Sequence, residues 1–299
     1  FQTFIKDFDV FSNKTLIKTL GIVSFFYTIE RDNKQFDENI LKDFEIDYHE
    51  FQEAIEELHK KELVEIQYNH VRISEQIMST YFFYKVFIKD KFLPFKVLLF
   101  NYFENWKHRF KDTIIPANNS FGYENVFSQI NSDLDSYLNF VYTDEEKVLE
   151  FFKIFWFYKR DETLNYFYNK ISKKQEPVNP NYDSTYQTND FVYEKDLTLS
   201  YLTDFFNFYS ENYVSAIELS FEYVRKEPTS LPELIRRIRE KIIFDDEDSD
   251  YNFKRQVELF NFLTKKFKLN EPHYVEAYFA LSKTFLGHYF QIFKGRRNH

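Results

Sequence analysis

The chain of 299 residues contains no Cys, 4 Gly, 7 Pro, 39 Phe and 23 Tyr, and its formal net charge is −9 at pH 7. The absence of Cys excludes a disulfide framework and a thiolate metal site. Gly occurs only at 21, 122, 287 and 295, so neither a phosphate-cradling loop nor a dinucleotide fingerprint can be built.

Asn13 or Ser12 is placed to cap a first helix, with Leu16, Leu20, Ile22, Val23 and Phe26 at helical spacing, which predicts a helix to about Glu30. Residues 31–35 read as a polar turn. Asp37 can cap a second helix through Phe44. Asp47 can cap a third, with Phe51, Ile55 and Leu58 on one face. Residues 62–67 alternate apolar and polar, 68–70 make a turn, and 71–73 return as a second strand. Ser74 then caps a helix to about Lys91. From Pro94 onward only helices are expected: Leu93 to Lys111, a loop around Pro116 and Asn118 to Ser120, Glu124 to Val141, Glu145 to Tyr158, and one from Asp161 to Lys173. Residues 174–190 are polar with two Pro and read as a linker. Five more helices follow, at 197–209, 211–226, 230–244, 252–267 and 272–294.

This order predicts a mainly α protein. An N-terminal winged helix of three helices and a small hairpin (1–92) leads into a helical domain (93–175), a linker or long loop (176–190) and a second bundle or solenoid-like array (191–299). The Phe and Tyr excess reads as core packing in an AT-rich coding sequence, with Phe used where Leu is usual. The longest apolar stretch, Tyr81 to Phe100, is broken by Lys85, Lys89, Asp90, Lys91 and Lys96, which argues against a membrane span. Without Cys or a signal peptide the expected location is the cytoplasm. The first residue is Phe1, which suggests a piece of a longer polypeptide.

No catalytic constellation is legible. The seven His show no metal-ligand spacing, and the acidic run at 245–250 lacks the Gly and terminal Glu of a calcium loop. The strongest basic cluster is Arg225, Lys226, Arg236, Arg237, Arg239 and Lys241, a candidate interaction patch for phosphate, nucleic acid or an acidic partner. The competing reading is a solvated face balanced by Glu233 and Glu240. The third helix carries Glu50, Glu53, Glu56 and Glu57 against Lys60 and Lys61, a balance that repels phosphate. That favours a protein-packing role over DNA binding, with a weaker nucleic-acid route through the wing (Gln67, Asn69, His70, Arg72).

The run Phe36-Asp37-Glu38, Phe51 to Ile66, Asn69 to Ile77 and Tyr81 resembles the winged helix that follows the ATPase core in STAND-class NTPases. These are large bacterial relatives of NLR immune receptors. Ala216 to Leu219, Pro228 and Leu231 to Leu234 are similar to helical segments after such winged helices. The resemblance implies a non-catalytic, sensor-side fragment of an antiviral defence protein that recognises proteins and switches conformation. Its partners would be an upstream NTPase core and a phage protein, and the full-length protein would form oligomers. ATP and Mg are implied for the parent protein and no cofactor for this fragment. Many family members carry Met-His-Asp near the end of the winged helix. Here Val71 to Glu75 stand in that place with His70 out of register, so no nucleotide contact is carried over. The alternative function is a winged-helix DNA- or RNA-binding regulator.

Overall fold

The computed structural model describes residues 12–31, 33–185, 197–242 and 252–296, which form mainly α-helices and one small three-stranded sheet. The chain divides between Tyr158 and Lys159 into two units. In the first, α1 (Lys14–Phe26) starts at Asn13, whose carboxamide oxygen accepts from the Thr15 and Leu16 amides at 2.9 and 3.3 Å. It ends four residues before the expected Glu30. Tyr27 takes a positive φ of 69°, and the chain turns into β1 (Ile29–Glu30).

Next come α2 (Lys34–Asp43) and α3 (Tyr48–Lys60). Asp47 caps α3 as expected, accepting from His49 and Glu50 amides, and Phe51, Ala54, Ile55 and Leu58 are its buried face. Asp37 lies inside α2 rather than before it. The hairpin is β2 (Glu65–Gln67) and β3 (His70–Arg72), with Tyr68 at φ 55° in a turn of two residues. β3 is central in the order β1-β3-β2: Val71 faces Ile29 on one side and Ile66 on the other. The expectation of a first helix to about Glu30 therefore overlooks β1, whose two residues become a strand only through pairing with β3.

α4 (Gln76–Phe83) continues as a wider π-helical turn, Tyr84–Lys89, closed by the Asp90 amide on the Lys85 carbonyl at 2.9 Å. Ser74 is not its cap; its hydroxyl bonds Glu65 instead. A short α5 (Phe95–Val97) passes through a second π turn, Leu98–Tyr102, into α6 (Phe103–Phe121). The loop expected at Pro116 is absent. Pro116 lies inside α6, the backbone departs from helical geometry at Trp106 (φ −125°, ψ 28°), and Gly122 at φ 90° ends the helix. α7 (Tyr123–Val141) and α8 (Glu145–Phe155) complete the unit.

α1 is the axis of this unit. It packs on α3, α4, the first π turn and α6. Phe25 meets the rings of Phe26, Phe83, Phe87 and Phe110, and Phe103 meets Phe110, Tyr137 and Phe155. The aromatic excess is thus largely core, each buried Phe stabilising by about 1.5–3 kcal/mol. Gly21 lets the π turn approach: a Cβ there would stand 2.4 Å from Val86 Cγ1.

The second unit begins with α9 (Arg160–Ser172) and centres on α11 (Tyr213–Lys226). α11 packs on α9, α10 (Leu197–Asp204), α13 (Lys254–Phe267) and α14 (Pro272–Arg296), while α12 (Leu231–Lys241) packs on α10 and α14. The boundaries expected at 92/93 and 175/176 do not separate bodies. α6 packs on α1 and α4, so 93–158 belongs with the first unit, whereas α9 packs on α11 and belongs with the second. Among the described residues no helix is long and apolar enough to cross a membrane.

Gly21→Ala should destabilise the first unit. The helix-propensity gain of about 1 kcal/mol is outweighed by overpacking against a buried branched side chain, about 1–3 kcal/mol. Val86→Ala in the same chain should recover more stability than additivity allows. Urea melts of the two single variants and the double variant check this, and strict additivity would remove the close-approach explanation.

Candidate functional site

A groove of about 690 Å³ opens in the first unit between the end of α1, the β3–α4 junction and the middle of α6. Its geometry depends on Arg109, which sequence reasoning did not single out. The Arg109 Nε donates to the Phe25 carbonyl at 2.7 Å and Nη2 to the Ser24 carbonyl at 3.1 Å. These are carbonyls of the last turn of α1, which lack helical partners and favour a cation. The guanidinium also lies 5.0 Å from the Tyr27 ring centre, and Nη1 reaches Asp112 at 3.4 Å. Burial draws the Arg109 pKa below its ordinary value, and Asp112 and Tyr27 oppose that shift. Arg109 thereby joins α6 to α1 and holds two walls of the groove at a fixed distance.

The other basic side chains of the lining are Arg72, Lys111 and the imidazole of His108, against one carboxylate, Asp112. Arg72 donates through Nε and Nη2 to Glu65 at 3.2 and 3.1 Å. Hydrogen bonds from Arg72, then Ser74, hold the Glu65 carboxyl below its usual range. His108 and Lys111 are exposed, and their side chains have no hydrogen-bond or ion-pair partner among the described residues. Tyr27 and Ile115 add apolar surface to the lining, 53% and 46% exposed.

The third helix presents His49, Glu50, Glu53, Glu56, Glu57 and Lys60 to solvent. Arg31 softens this acidity at one edge, pairing with Glu56 at 2.7 Å and bonding Gln52 at 3.0 Å. His59 is held by its Nδ1 contact with the Val64 carbonyl at 3.0 Å. At the hairpin tip Tyr68 is almost wholly exposed, and His70 lies in β3 rather than in the turn.

All six residues of the sequence-derived basic patch lie in the second unit, and each is engaged there. Arg225 binds Glu222 and Glu176, and Lys226 donates to the Ser172 and Lys174 carbonyls, both at 3.1 Å. Arg236 is held between Glu233 and Glu240. Arg237 is buried, bonding Glu233 at 2.6 Å and Thr203 at 3.4 Å. Arg239 donates to the Ala280 carbonyl at 3.0 Å and Lys241 to Asp204 at 2.6 Å. Hydrogen bonds with their carboxylates raise the Arg225 and Arg236 pKa values. These pairings leave the cluster little uncompensated positive charge. The acidic run at 245–250 lies outside the described residues.

The expected linker behaves differently over its described part. Residues 174–185 lie along α11 and α14 of the second unit. Lys174 pairs with Glu227 at 2.5 Å, Glu176 with Arg225, the Tyr182 hydroxyl donates to the Arg225 carbonyl at 2.8 Å, and Ser184 binds Glu276. Tyr182 covers His273, which is 2% exposed and also contacts the Tyr274 ring. His273 Nε2 has no hydrogen-bond partner among the described residues, and Glu271 stands 3.7 Å away. Burial, helped by Arg225 and Lys266 and opposed by Glu222, lowers the His273 pKa to about 4.

No family model matches the chain, and no curated protein or solved structure matches it at a significant level.

Two outcomes follow from the second unit. Arg225→Ala should release residues 174–185, seen as several-fold faster amide exchange confined to that segment; unchanged exchange would mean that Arg225 does not hold it. His273 is neutral when buried, with a folded pKa near 4 against an ordinary 6.5. Between those values the unfolded chain binds the proton and the folded chain does not, so stability falls as pH falls. The loss should be about 2 kcal/mol from about pH 6.5 to about pH 5, at 1.4 kcal/mol per unit. Glu222 and Glu233, both lowered in the folded state, contribute in the same direction only below that window. His273→Phe should flatten the slope of urea midpoint against pH above about pH 5.

Proposed function

We propose that the chain is a non-catalytic regulatory fragment of a bacterial STAND-type defence NTPase, on its sensor side, whose first residues form a winged helix. Support comes from the order helix, strand, helix, helix, strand, strand, and from β1 pairing with β3, which makes the sheet three-stranded. The observation that carries the protein-recognition reading is the exposed face of α3. A winged helix would lay this helix in a major groove, yet here it shows Glu50, Glu53, Glu56 and Glu57. Such a face repels phosphate and suits packing against a cationic protein surface. Function would then be a population shift between packings of the winged helix and helical body against the parent protein's other domains.

The placing of two glycines and one histidine supports assigning the nucleotide implied by the resemblance to the parent protein's ATPase core. Gly21 lies inside α1 and Gly122 between α6 and α7, so neither builds a phosphate loop, and His70 is a strand residue of β3. ATP and Mg would be bound by the parent's ATPase core, and no step of this fragment's action runs through them.

A second reading, nucleic-acid binding, is favoured by the exposed Tyr68 at the hairpin tip and by the uncompensated Lys111. The purified chain should hydrolyse no ATP above buffer background, and should not shift duplex or single-stranded nucleic acid at physiological salt. Robust turnover would sink the regulatory reading. A mobility shift that weakens steeply with salt would transfer the assignment to the second.

A further inference from the structure

We infer that the groove between α1, the β3–α4 junction and α6 is the docking site for an acidic peptide segment carrying an aliphatic or aromatic anchor. The inference deepens the protein-recognition reading and rests on it for the choice of a peptide as occupant.

Charge is the first argument. The chain is acidic overall at −9, yet this cavity collects Arg72, Arg109 and Lys111 around a single Asp112, with the imidazole of His108 beside them. Arg109 is already spent on the end of α1, and Arg72 donates two of its nitrogens to Glu65. The Lys111 ammonium and the ring nitrogens of His108, whose ring stacks on Trp106 at 6.0 Å, remain on the α6 wall without a hydrogen-bond or ion-pair partner among the described residues. Carboxylates entering from solvent complete these groups without breaking an internal pair.

Apolar surface is the second. Tyr27 and Ile115 line the same cavity, and Ile77 is 62% exposed on α4 next to the lining residue Gln76. Exposed branched aliphatics beside cations match an amphipathic acidic segment. They do not match a single-stranded nucleic acid, whose bases stack on open aromatic faces. Tyr27 is the one aromatic of this lining other than His108, and its ring already carries the Arg109 guanidinium at 5.0 Å.

Shape and rigidity complete the case. A volume of about 690 Å³ falls in the range that encloses a ligand of a few side chains. The Arg109 hydrogen bonds to Ser24 and Phe25 hold the walls before any ligand arrives, which lowers the ordering cost of docking.

The test is fluorescence anisotropy on the full chain with a short fluorescein-labelled peptide alternating Glu and Leu. A Lys–Leu peptide and a single-stranded DNA oligomer of similar length are the comparisons. The Glu–Leu peptide should bind, more weakly at high salt, and the two comparisons should not. Lys111→Glu combined with His108→Glu should weaken binding by at least about tenfold, Ile115→Ser should also weaken it, and Lys111→Arg should retain it. All three positions, His108, Lys111 and Ile115, are solvent-exposed, and unchanged urea midpoints would show that folding is intact. Equal binding of the Lys–Leu peptide, preferential binding of the DNA, no binding of any probe, or indifference to the double charge reversal would each overturn the inference. A chain that neither binds the Glu–Leu peptide nor turns over ATP loses the groove assignment and keeps the regulatory reading. A chain that turns over ATP but binds the peptide through Lys111 loses the regulatory reading alone.

Discussion

Ten of the 13 residues of α1 are buried, and the burial runs right round the helix rather than along one stripe. A helix in that position cannot settle against one partner. It must be surrounded, and α3, α4, the first π turn and α6 supply the surround. The rest of the first unit follows from this requirement. The π turn widens where Val86 has to lie over Gly21. The Phe residues of α4 and α6 point their rings at Phe25, and the irregularity at Trp106 lets α6 meet both α1 and α8.

A helix enclosed in this way has a terminus whose carbonyls are shut off from water. Arg109 supplies the missing donors for α1. The second unit repeats the device: Arg255, itself buried, donates to the carbonyls of Phe206, Asn207 and Lys241. A core built from Phe offers few polar partners, so long cationic side chains reach in from other helices to satisfy helix ends. The same economy explains the fate of the 225–241 cluster. Lys226 serves the end of α9, Arg239 donates to a carbonyl within α14, and the others balance carboxylates of their own or neighbouring helices.

Positive charge that has no structural employment is therefore informative. In the groove of the first unit Lys111 is such a group, carried with His108 on α6, the helix that Arg109 ties to α1. Function on this reading comes from residues the core does not use, carried on walls that the core makes rigid. The acidic face of α3 and the cationic groove give one unit two surfaces of opposite charge, which suits a part that must contact more than one neighbour.

Much of the local structure was legible because its causes are local. Asn13 and Asp47 each cap the helix that begins beside them, through bonds spanning two or three residues. The apolar spacing of 51, 55 and 58 identified the buried face of α3 without reference to anything else. The misread elements share the opposite property. β1 exists through pairing with a strand some 40 residues later, and Pro116 stays helical because surrounding packing overrides its local preference. Arg109 finds its acceptors 84 and 85 residues away, and Arg225 meets Glu176 across 49. Composition and periodicity determined that this chain is mainly helical, Phe-packed and without a phosphate loop. Which cations are consumed and which are left facing solvent was decided by tertiary structure alone, because an ion pair is a distance in space that sequence separation does not encode.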